Sequence, residues 1–193
     1  MFILEKVKRI FIWFKRFRKR KGYGVHSPFA FNFITQVIYE KGVYYNYSLL
    51  NQLPHSKVES DKVIKLLFRL VNFISPHTIL YKHRGDDISD IFRWAKSDVH
   101  IFGNVKNSCK LDFVYLEMSY DNKELENILT EIIPIMHKDS ILIIYGIGFN
   151  KERMEFWSKV ISHPNSGISF DLYDLGILFF DHSKNKQDYI VNF

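Results

Sequence analysis

The stretch Ser140-Ile141-Leu142-Ile143-Ile144-Tyr145 decides the fold class. It is uncharged and continuously apolar, the pattern of a strand covered on both faces, whereas a strand with one wet face alternates. Leu111-Asp112-Phe113-Val114-Tyr115-Leu116 reads the same way, and 78–81 and 99–102 are shorter strands. Helical spacing fills the gaps between them. Ser60 or Asp61 caps a helix to about Phe73, with Val63, Ile64, Leu67, Phe68 and Val71 inward. Residues 88–95 form another, Asp121 caps a third that ends near Ile133, and Asn150 caps a fourth with Met154, Trp157, Val160 and Ile161 on one face. Strands that alternate with helices predict a doubly wound, mostly parallel α/β sheet. Residues 168–173 and 176–181 meet at a turn as an antiparallel pair, and 189–192 is a seventh strand. Upstream, 29–40 reads as a helix and 42–58 as irregular.

A chain of 193 residues is one ordinary α/β domain. With 47% apolar and 25% charged residues it folds around a core, which excludes a disordered chain. No run approaches the roughly 18 apolar residues of a membrane span. The N-terminal apolar stretch is broken by Lys6, Lys8 and Arg9, so no secretory signal is expected. One cysteine, Cys109, excludes an internal disulfide and a Cys-only zinc site, and fits a reducing, cytoplasmic location.

Charge divides the chain in two. Residues 1–21 hold nine of the 27 Lys and Arg but only Glu5 of the 21 acidic residues, so they carry +8 of a net +6 and leave −2 for residues 22–193. Residues 1–21 therefore read as a basic amphipathic helix, with Leu4, Val7, Ile10, Phe11, Phe14 and Phe17 on one face and Trp13 beside it. The simplest expectation is that this stripe packs on the chain's own domain. The second is an interfacial helix on an anionic membrane through residues 3–20, which would make the protein membrane-peripheral. Nucleic acid is the weakest partner, since no base-reading motif accompanies the charge.

In a doubly wound sheet, ligands bind beyond the carboxyl ends of the strands, here at 81–87, 102–104, 117–120 and 145–149. Four stretches of the chain resemble a family of small bacterial class I S-adenosylmethionine (SAM)-dependent methyltransferases. Gly22-Tyr23-Gly24-Val25-His26-Ser27-Pro28-Phe29 is similar to the family's Gly-x-Gly-x-His-Ser-Pro-Phe signature. Lys65 to Leu70, leading to Pro76 and Leu80, resembles the helix that feeds the first strand. Leu111 to Glu117 resembles a strand ending in an acidic residue near the cofactor. Met154, Trp157, His163-Pro164 and Asp171-Leu172-Tyr173-Asp174-Leu175-Gly176-Ile177-Leu178-Phe179-Phe180 resemble the C-terminal helix and hairpin. The likeness covers nearly everything after residue 20. It implies a seven-stranded SAM-methyltransferase-like sheet in 22–193 with an antiparallel C-terminal hairpin, and SAM as methyl donor.

The family's first strand runs into an acidic residue and a glycine turn, because the backbone must pass close beneath the cofactor. Here Tyr81 takes the acidic position, His83 and Asp87 take the two glycine positions, and Gly85 stands off register. Asn104 replaces the carboxylate expected to bind ribose hydroxyls. Glu117 keeps its acidic position, Tyr120 stands for a histidine, and Tyr145-Gly146 replaces paired aspartates that hold a metal or orient the acceptor, so no metal site is expected. Tyr81, His83, Gly85, Asp87, Asn104 and Glu117 are thus the cofactor positions, with no catalytic residue assigned.

Blander readings stand beside these. His83 with Asp86 and Asp87 is a solvated turn sooner than a metal site, and His26-Ser27 a structural turn sooner than a nucleophile pair. Gly22 with Gly24, and Gly146 with Gly148, are weak phosphate signals. Glu117 could pair with a lysine, and Cys109 reads as inert. The expected function is a methyltransferase-like protein with lost or altered SAM binding, a pseudoenzyme or binding module for an unknown small molecule or protein. The alternative is an active SAM-dependent methyltransferase with a divergent pocket and an unknown small-molecule acceptor.

Overall fold

The computed structural model describes residues 2–50, 60–84, 87–105, 110–118 and 120–193. Among them, β1 (Thr78–Lys82), β2 (His100–Phe102), β3 (Leu111–Glu117), β4 (Met136–Tyr145), β5 (Ser169–Asp171), β6 (Leu175–Phe179) and β7 (Asp188–Ile190) form one seven-stranded sheet. Its order is β2-β1-β3-β4-β6-β5-β7. Strands β2, β1, β3 and β4 run parallel, and β6 is antiparallel to both β4 and β5. The predicted hairpin is therefore present, while β7 closes the edge parallel to β5.

The two decisive strands are apolar throughout because their alternate residues serve two cores. Phe113, Tyr115, Ile141 and Ile143 face one side, with Leu67 and Val71 of α4 (Asp61–Ile74) and Phe92 of α5 (Asp90–Ala95). Val114, Leu116, Leu142 and Ile144 face the other, with Leu125 and Leu129 of α6 (Asn122–Ile132) and Trp157 and Val160 of α7 (Lys151–Ser162). Each such side chain contributes about 1.5–3 kcal/mol on burial. Asp121 and Asn150 cap α6 and α7, their side chains accepting from the amides of Glu124 and Arg153 at 2.8 Å each.

Several expectations shift. Strand β4 starts at Met136, ahead of the predicted 140. Met136 pairs with Leu111, and the register then slips. The buried Ser140 hydroxyl bridges the slip, donating to the Leu111 carbonyl at 2.6 Å and accepting from the His137 amide at 2.8 Å. The 29–40 helix is instead α2 (Pro28–Phe33) followed by a π-turn at Ile34–Ile38. Arg69 of α4 collects the carbonyls of Val37 and Ile38 at 2.7 and 3.0 Å, satisfying backbone acceptors at that helix end. In the irregular region, Tyr47–Leu50 is a single helical turn, α3, and 51–59 lie outside the described residues. On α7, Met154 turns outward and Phe156 is buried in its place.

The two most specific stretches of the resemblance meet in space. Phe29 packs edge-on to Phe179 at 5.2 Å, and Phe33 lies 4.7 Å from Phe170 and 5.0 Å from Phe179. Ser27 caps α2, accepting from the Ala30 amide, while His26 is exposed. Gly22 has φ +77°, and a Cβ there would stand 2.8 Å from the Phe31 ring. The signature therefore shapes a turn and an aromatic seam.

The N-terminal helix, α1 (Phe2–Lys15), does not dock through its apolar stripe. Arg9 donates to both carboxylate oxygens of Asp174 at 2.8 and 3.1 Å, and Arg16 to both of Asp171 at 2.9 Å. Both guanidinium groups lie over the Tyr173 ring, at 5.9 and 5.6 Å. The Trp13 carbonyl accepts from the Asn192 side chain at 3.2 Å. Polar contacts hold the helix, and Val7, Ile10, Phe11, Phe14 and Phe17 face solvent.

Candidate functional site

The connection through α5 carries the chain from β1 to β2 on one side, and β3 then returns to the other side of β1. The carboxyl ends of β1 and β3 therefore flank the switch point where a doubly wound sheet opens its ligand crevice. Tyr81, His83 and Glu117 lie there, because β1 and β3 are neighbours in register, and Asn104 lies at the margin beyond β2.

The crevice is filled from within. Nδ1 of His83 stands 3.0 Å from Oε2 of Glu117, with side-chain exposures of only 1% and 10%. The same Glu117 oxygen accepts from the Arg84 amide at 3.0 Å. The His83 ring stacks on Tyr81 at 5.7 Å, and Tyr81 on Tyr115 at 5.8 Å. The Tyr81 hydroxyl accepts from the Ile88 amide at 3.1 Å.

Arg84 closes the top. Its guanidinium donates to Glu124 of α6 at 2.8 Å and lies 4.2 Å from the centre of the Tyr120 ring. Residues 83 and 84 thus bridge β1 to β3 and α6, over the place where a ligand would enter.

Asp87 and Asn104 sit at the margin. Burial pushes the Asp87 carboxyl up, but hydrogen bonds from Ser89 and from the Tyr81 hydroxyl outweigh it and hold the group below its usual range. Asp87 also caps locally, accepting from the Ser89 amide at 2.8 Å. Asn104 is exposed, and its side-chain oxygen accepts from the Lys82 ammonium at 2.8 Å. Gly85, Asp86 and Cys109 lie outside the described residues. Among the described residues no group of three or more His, Cys, Asp or Glu is placed to hold a metal ion.

At the end of β4 the glycines serve the fold. The Gly146 and Gly148 amides donate to the carbonyls of Asp174 and Tyr173 at 2.6 and 2.9 Å. A Cβ at Gly148 would stand 2.6 Å from that Tyr173 oxygen. Close approach to a neighbouring turn, not to a phosphate, requires glycine here.

The cradle that glycines would leave open holds an imidazole, a phenol ring and an arginine strap, and the marginal Asn104 oxygen already accepts from Lys82. Sequence reasoning placed Glu117 in a cleft, with a lysine pair as the alternative, and the structure sets it against His83 and the backbone amide of Arg84. It missed the Arg84 strap, because nothing local in Lys82-His83-Arg84 says that the side chain reaches forty residues onward to Glu124. A groove of about 530 Å³ lined by Leu129, Ile133, Phe156, Val160 and His163 lies between the later turns of α6 and α7. Those turns lead away from the carboxyl ends, so it belongs to a different face.

No family model matches the sequence, and no curated protein matches it. Among solved structures, the chain is similar to a Staphylococcus aureus protein provisionally assigned as a caffeoyl-CoA O-methyltransferase. The two share 13% identity over 70% of this chain and 89% of that one, with a TM-score of 0.48. At that identity a likeness concerns the fold and not the chemistry, so function rests on the residues of this chain.

Proposed function

We propose that this chain is a methyltransferase-like protein that does not bind SAM in the conventional way and acts as a binding module instead of a methyl-transfer enzyme. One observation carries the reading. His83, a residue with no room beside a close-bound cofactor, is buried against Glu117 and stacked on Tyr81 at the switch point. Filling the crevice with stacked rings and a buried His83–Glu117 contact favours the closed state, because opening it would expose the rings and take the carboxylate from the Arg84 amide.

Calorimetric titration with SAM and with its demethylated product tests this. The expected result is no heat and no thermal stabilisation at millimolar ligand. Micromolar affinity, about −8 kcal/mol, would overturn it.

A divergent but active methyltransferase is the second reading, favoured by Glu117 at the end of β3 beside the switch point. Under that reading Glu117→Ala abolishes SAM binding. Under the first it changes stability alone.

A further inference from the structure

The face of α1 opposite its tethers is exposed, and it is the surface that the fold leaves without an explanation. Arg9 and Arg16 are seven residues apart and so share one face of the helix. Both are engaged with the hairpin turn between β5 and β6. Val7, Phe11 and Phe14 lie about half a turn away from that face. They are 59%, 67% and 66% exposed. The tethers therefore fix the helix's rotation and hold its aromatic stripe outward. Contiguous exposed aromatics of this kind mark an interaction surface.

Charge decides the partner. Lys15, Arg18, Lys19 and Lys21 are exposed beside the stripe. Phe17, Tyr23, Arg18, Arg20 and Lys21 together line a groove of about 360 Å³. Exposed aromatic rings interleaved with cationic side chains suit acyl chains and anionic headgroups. A second copy of the chain would bring one +8 segment against another, which opposes self-association. Lysine is also depleted from the cores of protein interfaces. Among the described residues no helix is long and apolar enough to cross a membrane.

We propose that α1 and the turn after it form a preassembled docking surface for an anionic phospholipid bilayer, with Phe11 and Phe14 inserted between headgroups and Arg18, Arg20 and Lys21 among the phosphates. This surface is independent of the crevice, so vesicle binding and SAM binding fail separately.

The test is co-sedimentation of the full chain with vesicles of phosphatidylcholine alone and of phosphatidylcholine with phosphatidylglycerol. The expected result is partitioning onto the anionic vesicles only, weakened when salt is raised to about 0.5 M. The double variant Phe11→Ser, Phe14→Ser should bind at least about tenfold more weakly, with an unchanged melting temperature because both side chains are exposed. Arg18→Glu with Lys21→Glu should reduce binding by a similar factor. Failure of the unaltered chain to sediment with anionic vesicles overturns the proposal. So does equal binding to neutral vesicles, undiminished binding of the double Phe variant, or a stable dimer that the Phe substitutions dissociate.

Discussion

The two ends of β3 carry the same chemistry in different settings. At its start, the Asp112 carboxylate accepts from the His77 and Thr78 amides at 2.7 and 2.9 Å and meets the His137 ring at 3.0 Å. At its finish, the Glu117 carboxylate accepts from the Arg84 amide and meets the His83 ring, both at 3.0 Å. Each carboxylate ties its strand to the neighbouring β1 segment. Asp112 does so at the amino ends, where a doubly wound sheet has no ligand crevice, and its side chain is 21% exposed. Glu117 does so at the carboxyl ends, buried, on the spot a ligand would need. A carboxylate beside a histidine is therefore no signature of a site by itself. Position in the topology makes it a candidate, and burial separates the Glu117 contact from the Asp112 one.

The largest effect should come from Glu117→Ala. It removes the carboxylate that accepts from the Arg84 amide and meets the buried His83 ring, and should cost about 3–5 kcal/mol, read from chemical unfolding. A cost below 1 kcal/mol, together with a lost ligand, would turn this end of β3 back into a binding site. Asp112→Ala, at the more exposed end, should cost about 2–3 kcal/mol for its backbone and imidazole hydrogen bonds, lowering the melting temperature by about 6–9 °C. Should it exceed the Glu117 effect, burial would not be what separates the two ends.

Acid should reach Asp112 visibly. Burial raises its carboxyl, but the Thr78 and His77 amides and His137 outweigh that and hold it below the usual range. A depressed folded-state pKa gives stability that is complete above the unfolded value near 4 and is lost as pH falls through the folded value. Unfolding free energy measured from about pH 5 to pH 2 should fall less steeply in Asp112→Asn than in the unaltered chain. An identical slope would remove Asp112 from the acid limb.

Smallest is Asn104→Ala, at the exposed margin of the crevice. It should change stability by less than about 0.5 kcal/mol, since it loses one solvent-exposed hydrogen bond to Lys82. Loss of affinity for any adenosine-bearing ligand in that variant would instead make Asn104 a ribose contact.

Much of the central sheet was legible because burial on both faces leaves a continuous apolar run, as at Ile141 to Ile144 and Val114 to Leu116. The caps Asp121 and Asn150 were legible because their hydrogen bonds reach only three residues. The crevice was legible only as a set of strand ends, since alternation points to a doubly wound sheet without fixing its strand order. Its contents were not, because the His83–Glu117 contact spans 34 residues and the Arg84–Glu124 contact forty, and no local period encodes such a pairing.

The helices α1 and α4 show where the boundary falls. By itself the sequence determined that both are amphipathic, because side-chain spacing at 3.6 residues per turn is a local property. The α4 stripe of Val63, Leu67 and Val71 is buried as its spacing predicts, but tertiary structure alone decided that α1 turns Val7, Phe11 and Phe14 outward. A stripe states only that a surface is apolar. What covers it depends on the rest of the chain, and here two arginines bound to Asp171 and Asp174 set the helix facing the other way.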